Sequence, residues 1–395
     1  MDAYLLDWLN LLLRWLHVIV GIAWIGASFY FVWLDNSLVK PTDPALKEKG
    51  VDGELWAVHG GGFYNPQKYM IAPKALPEHL HWFYWESYWT WMSGFALFVT
   101  LYLFNAQTFL IDKNVYAWGS SGAAIAASLV YLVMGWVVYD AICRFFGQKK
   151  NGDAIVGVLV FVYVIAATYI ACHFFAGRAA FLLTGAMLAT AMSANVFMVI
   201  IPGQKKTIAA MKAGLPPDPA HPMRAKQRSV HNTYFTLPVL FAMLSNHYSF
   251  AYSAKYNWLV LVLIMLAGAL IRQFFVLKHK GRWEYKYWAI ASAILIGVAI
   301  WLAPAPTKPV AALAKAPTYT EIKPIIEARC AMCHNANVQM KNVALHTPEL
   351  LAQHAQNVYQ QAVVTRAMPM NNSTQITEEE RAQLAAWFKA GAKTP

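Results

Sequence analysis

Eight stretches of about twenty predominantly apolar residues dominate this chain, near 5–34, 82–104, 115–142, 154–176, 179–201, 231–250, 257–277 and 286–303. At 1.5 Å of rise per residue, about twenty residues in a helix cross the ~30 Å hydrocarbon core of a bilayer. The pattern therefore predicts an all-α, polytopic membrane bundle. Composition agrees, with 58% hydrophobic and only 13% charged residues, a balance foreign to soluble domains. His231, Asn232 and Pro238 interrupt the sixth stretch and make it the weakest. The first stretch is expected to be retained, since Asp2 and Asp7 stand where a secretory signal has basic residues, and the run is too long for its apolar core.

The formal net charge of +12 would suit nucleic acid if it were spread over a surface, but it is concentrated. The loops after stretches one, three, five and seven carry eighteen Lys and Arg residues, among them Lys68, Arg144, Arg228 and Lys278, against Lys113, Arg178 and Lys255 in the alternate loops. Basic loops face the cytoplasm. Both termini are thus expected outside, in the periplasm if the cell has one, and nucleic acid is excluded as a partner.

The chain divides into a membrane domain at 1–303, a tether at 304–318 and a C-terminal module at 319–395. The stretch that carries the tether, "APAPTKPVAALAKAPT" at 303–318, is rich in Pro and Ala, which favours an extended, semi-rigid spacer. In the module Thr377 precedes Glu380 by three residues, a capping box that opens a helix through Trp387.

The module also holds "RCAMCH", residues 329–334. Cys-x-x-Cys-His attaches a c-type haem through two thioethers, Cys330 and Cys333, and places His334 on the iron. Zinc would require a second ligand pair, which the sequence does not provide. A thioether sixth ligand raises the haem potential, and "RAMPMNNSTQIT" offers Met368 and Met370, with Met340 nearby. The module resembles the small class I cytochrome c fold, in which the axial methionine directly precedes a proline. That resemblance implies Met368. Cys143 and Cys172 stand singly in apolar stretches and are read as small core residues.

Ionisable groups inside a bilayer are costly and point to function. Near the outer side are His17, one turn from Arg14, with His173 and His247; towards the inner side are His81, Glu86, His231, Asn232, Arg272 and Gln273. Asp140 and Arg144 have the spacing of a structural i,i+4 pair. Glu86 is conspicuous inside "HWFYWESYWTW". The string "HGGGFYNPQKY", residues 59–69, reads either as a glycine-rich turn or as a backbone cradle for an anion beside Lys68.

The run "RWLHVIVGIAWIGASFYFVWLDNSL", the segment from His59 to Gly94 and a terminal "CAMCH" together resemble the membrane-bound, cytochrome c-fused urate oxidases of bacterial purine breakdown. The resemblance implies oxidation of urate to 5-hydroxyisourate, with oxygen from water and electrons leaving through haem c. The acceptor would be a soluble or membrane cytochrome c or a terminal oxidase. It also implies a bacterial inner membrane with the cytochrome domain in the periplasm. Urate is a planar anion that needs a base, a cation and hydrogen-bonding groups. Glu86 and His81 are the candidate bases, Arg272 and Lys68 the anion partners, and Asn232 with Gln273 the readers of its edge, with His231 in the same inner group. A substrate in the inner half would lie far from an outer haem. A haem b held by His17 and His173 is one way to bridge that gap. The rival reading is a quinol-reactive or oxidase-type electron-transfer subunit, which would need paired histidines at matching depths; His231 and His247 find no such pair.

Overall fold

A computed structural model describes residues 3–303, 316–336, 338–340, 343–372 and 374–395. The tether expected at 304–318 lies outside the described residues as far as 315. The fold is almost entirely helical, and its few strands are short pieces between the first two long helices.

The first domain contains α1 (Ala3–Ser37), α2 (Trp85–Phe98, extended by a π-helical Val99–Leu103), α3 (Ser121–Phe146) and α4 (Gly152–Phe174). It continues with α5 (Gly177–Ala194), α6 (Ala220–Leu244), α7 (Asn257–His279) and α8 (Tyr285–Trp301). Five helical stretches are long and apolar enough to cross a membrane: Tyr4–Ser37, Ser121–Phe146, Gly152–Phe174, Gly177–Lys212 and Asn257–His279. Helices α2, α6 and α8 are not among them: α8 is brief, and α2 and α6 are polar at their starts.

Two boundaries differ from the apolar pattern for one reason. Helix α6 begins at Ala220, well before His231, and α5 runs on through a π-helical Asn195–Ile200 to Lys212. Lys, Arg and Gln propagate a helix nearly as well as Leu, so hydropathy marked the part sunk in apolar surroundings, not the end of the helix. Helix α5 is the hub. Its Ala179, Ala180, Phe181, Leu183 and Met187 are fully or almost fully buried, and it packs on α3, α4 and α6. Helix α1 is peripheral, packed mainly on α2 and exposing Leu5, Trp15 and Ile22, as lipid contact requires.

Between α1 and α2, Ala57–His59 pairs with Gly62–Tyr64 in an antiparallel hairpin. Its two-residue turn is Gly60–Gly61, both with positive φ (58° and 82°), the conformation that a tight hairpin turn demands and that glycine adopts freely. The glycine string thus forms a tight hairpin turn.

The C-terminal module contains α9 (Tyr319–Arg329), α10 (Pro348–Gln353), α11 (Ala355–Val358, continued by a π-helical Tyr359–Val364) and α12 (Glu378–Lys389). Capping boxes open α9 at Thr318/Glu321 and α12 at Thr377/Glu380. Helices α9 and α12 pack together over Ile322, Ile326, Leu384 and Trp387. Trp387 is a core residue whose Nε1 donates to the Lys393 carbonyl at 3.1 Å. The Ser249 hydroxyl of the first domain donates to the Thr365 carbonyl of the module at 3.2 Å.

Candidate functional site

Helix α9 ends at Cys330, and the chain turns so that the amides of Cys333 and His334 both donate to the Cys330 carbonyl at 3.1 Å. Both thiols are unbridged, and burial, with Cys333 beside it, pushes the Cys330 thiol up to about 12. His334 Nδ1 lies 2.9 Å from the Val343 carbonyl oxygen. A carbonyl only accepts, so Nδ1 carries the proton and Nε2 keeps its lone pair for a metal. Met340, Met368 and Met370 line the same cavity as Cys330, Cys333 and His334. The Met368 backbone is tethered at both ends, its amide to Gln361 at 3.0 Å and its carbonyl to Arg381 at 3.1 Å. No group of three or more His, Cys, Asp or Glu suited to a bare metal ion occurs among the described residues. Thiols, a lone-pair imidazole and thioethers around one cavity fit a covalent haem.

That cavity does not stop at the module. It has a volume of about 1460 Å³ and continues between α1, α2, α5 and α6, where Arg14, His17, Trp91, Gly94, Arg178 and His247 line it. His17 Nδ1 lies 3.1 Å from the Thr90 carbonyl and 3.0 Å from Ser93 Oγ. The ring occupies the space left by Gly94, where a Cβ would meet His17 Cε1 at 2.8 Å. His173, expected beside His17, is elsewhere: it is exposed on α4, its Nδ1 donates to Tyr169 one turn back at 2.7 Å, and it stacks on that ring. The local helical hydrogen bond turns it away from the cavity.

The inner residues divide into separate groups. Arg272 is buried with Nε and Nη2 lacking any hydrogen-bond partner among the described residues, and its guanidinium lies 4.4 Å from the Phe29 ring centroid. The Gln273 carbonyl next to it accepts from the Tyr234 hydroxyl. Asn232 is fully engaged, accepting from Asn195 at 2.8 Å and donating to the Met192 carbonyl at 3.0 Å. Asn195 accepts from Arg228 at 3.1 Å, and Arg228 pairs with Asp140 at 2.7 Å. Asp140 also pairs with Arg144, at 2.6 Å. His231 Nδ1 meets the Tyr139 hydroxyl at 2.8 Å. Glu86, in the first turn of α2, is half-buried, and its carboxylate has no hydrogen-bond or ion partner among the described residues. His81 is exposed and packs edge-on against Phe83, which reaches Phe31 of α1. Lys68 pairs with Asp35, which also holds Lys226 at 2.9 Å. Burial, then the Lys226 charge, lowers the Lys68 ammonium to about 8.

The family model for the urate oxidase N-terminal domain matches residues 3–303. The chain belongs to the urate oxidase N-terminal family. A second family model, for subunit III of cbb3-type cytochrome c oxidase, matches residues 317–388, the segment that carries Cys330, Cys333 and His334. Comparison with curated proteins and with solved structures gives no match. A urate oxidase-type membrane domain joined to a cytochrome c domain is an oxidoreductase with its own electron-transfer module, and that module implies covalent haem c.

Sequence patterning missed one member of this urate oxidase-type domain's polar interior. Arg228 counted as a loop cation, yet it lies inside α6 and is buried. Its spacing of four from Asn232 puts both on one helix face, a signal that becomes readable only once α6 is known to begin at Ala220. Asn195 sits in a π-helical segment, a local widening that often marks a functional position.

Proposed function

We propose that the protein oxidises urate in the membrane. Urate and water give 5-hydroxyisourate, two protons and two electrons, and the electrons leave through haem c to a downstream cytochrome c or terminal oxidase. One observation carries this reading: a single cavity runs from the haem motif into a bundle matched by the urate oxidase family. When bound, haem c supplies a covalently anchored one-electron acceptor.

The residues of the bundle supply the rest. Arg272 is the proposed partner of the urate anion, because a buried guanidinium with unused donors is costly until an anion meets it. Glu86 is the proposed base that removes a proton and activates water, its carboxylate being unengaged among the described residues; His81 is the second candidate. Gln273 reads the edge of the purine from beside Arg272. Asn232 and His231, both held by neighbours, act by shaping the inner site. Lys68 draws anions to its cytoplasmic mouth. This reading has eight spans, the N-terminus outside and the cytochrome domain in the periplasm of a bacterial inner membrane, in line with the basic loops. A second, non-covalent haem between the inner site and the module divides the electron path.

The test is anaerobic addition of urate to the purified full-length protein. Haem c bands should sharpen as the iron is reduced, and Glu86→Gln should slow this by about 10²- to 10⁴-fold while the oxidised spectrum stays intact. Normal turnover in Glu86→Gln removes that residue from the mechanism. No reduction of the wild type by urate overturns the function.

A further inference from the structure

We infer that the membrane end of the shared cavity is a porphyrin site, a non-covalent haem with His17 Nε2 as its axial ligand. Four observations converge. The cavity, at about 1460 Å³, exceeds the ~300–1,000 Å³ of a pocket built for one small ligand, and haem c accounts for only the end lined by the module. Along α1 its lining runs from Asn10 to Ile25, ~22 Å of helix, with Val18, Gly21, Ile22 and Trp24 along it as an apolar wall.

The His17 tautomer is fixed by its neighbours. Ser93 Oγ donates its own proton to the Trp89 carbonyl at 2.6 Å, so towards His17 it accepts, and the Thr90 carbonyl also only accepts. Nδ1 is therefore the N–H, and Nε2 carries the lone pair. A ring nitrogen anchored to backbone while the other is left free is the arrangement of metal-ligating histidines. Gly94 then has a specific purpose, since any side chain there would displace the imidazole.

Arg14 and Arg178 complete the site at the cavity's outer end. Arg178 uses Nε on Asn246 at 3.0 Å, and Arg14 uses Nη2 on Asn10 at 3.2 Å. Each keeps further N–H groups for an anion, and a porphyrin carries two propionates. On α2, Gly94 stands ~12 Å along the axis from Glu86 and ~12 Å from Tyr102 at the outer end. The site is thus midway along α2 between the proposed base and the helix's outer end. Its role as a relay rests on the urate reading, in which ferric iron here takes single electrons from the substrate side and returns to ferric by reducing haem c. The site itself rests on geometry alone.

The experiment is pyridine haemochrome analysis of the purified full-length protein, with dithionite as reductant so that the result does not depend on urate. Haem b and haem c in a 1:1 ratio is expected. His17→Ala and Gly94→Val should each lose haem b and retain haem c, the covalent haem reporting that the chain has matured. Haem c alone in the wild type overturns the site, even if urate reduces it. Haem b retained in both variants overturns His17 as its ligand. Haem b present but not reduced by urate while haem c is reduced leaves the site standing and overturns its role as a relay; neither haem reduced by urate leaves the site standing and removes the urate reading.

Discussion

Arg228 and Arg272 are both 4% exposed in the same bundle, and their surroundings are opposite. Arg228 on α6 donates to Asp140 and Asn195 and lies over the rings of Trp136 and Tyr139. Arg272 on α7 faces Phe29 with two nitrogens unmet. A buried charge with its counter-charge is part of the architecture; one without it is what the proposed function assigns to the urate anion. The cost of an unpaired charge in an apolar medium is what makes the second arrangement informative.

The comparison breaks most visibly at the paired end. Arg228→Met should destabilise the bundle by about 3–5 kcal/mol, since it leaves Asp140 buried with only Arg144 beside it. Thermal unfolding in detergent measures this; an unchanged midpoint would mean that the network is not structural. Arg272→Met should do the reverse. Its stability is expected to equal or exceed the wild type's, while the urate concentration for half-maximal haem c reduction rises about 10- to 100-fold, the value of a charge-assisted contact. Loss of stability with unaltered urate dependence would place Arg272 with Arg228.

The smallest expected effect concerns Lys68, whose side chain is 35% exposed beside Asp35. Its ammonium titrates near 8, below the ordinary lysine value of 10.5, so between those pH values the unfolded chain binds more protons than the folded one. Stability then rises with pH across that window, and the burden on the fold is complete only below about pH 8. Lys68→Met removes the dependence. After allowance for solvent screening the difference is about 0.5 kcal/mol, readable as convergence of wild-type and variant unfolding midpoints from pH 7 to pH 10.

Legibility in the sequence followed the same division. Residues that act through local spacing were readable: Cys330, Cys333 and His334 within one turn, Thr377 with Glu380 at a helix start, and the apolar stretches at helical length. His17 was identifiable as an intramembrane histidine, but not the neighbours that fix its tautomer, because Thr90 and Ser93 are more than seventy residues away. His173 shows the opposite failure. Its position near the outer surface matched that of His17, and a hydrogen bond to its own helix directs it elsewhere.

What the sequence determined by itself was the material: apolar runs that become helices and a motif that implies covalent haem attachment. Those follow from near-neighbour chemistry and from hydropathy, which need no knowledge of packing. Only the tertiary structure decided which buried charges meet a partner, which histidine faces the cavity, and that one cavity joins the module to the bundle. Those depend on where α1, α2, α5, α6 and α7 cross, and a crossing is set by side-chain packing between segments far apart in the chain.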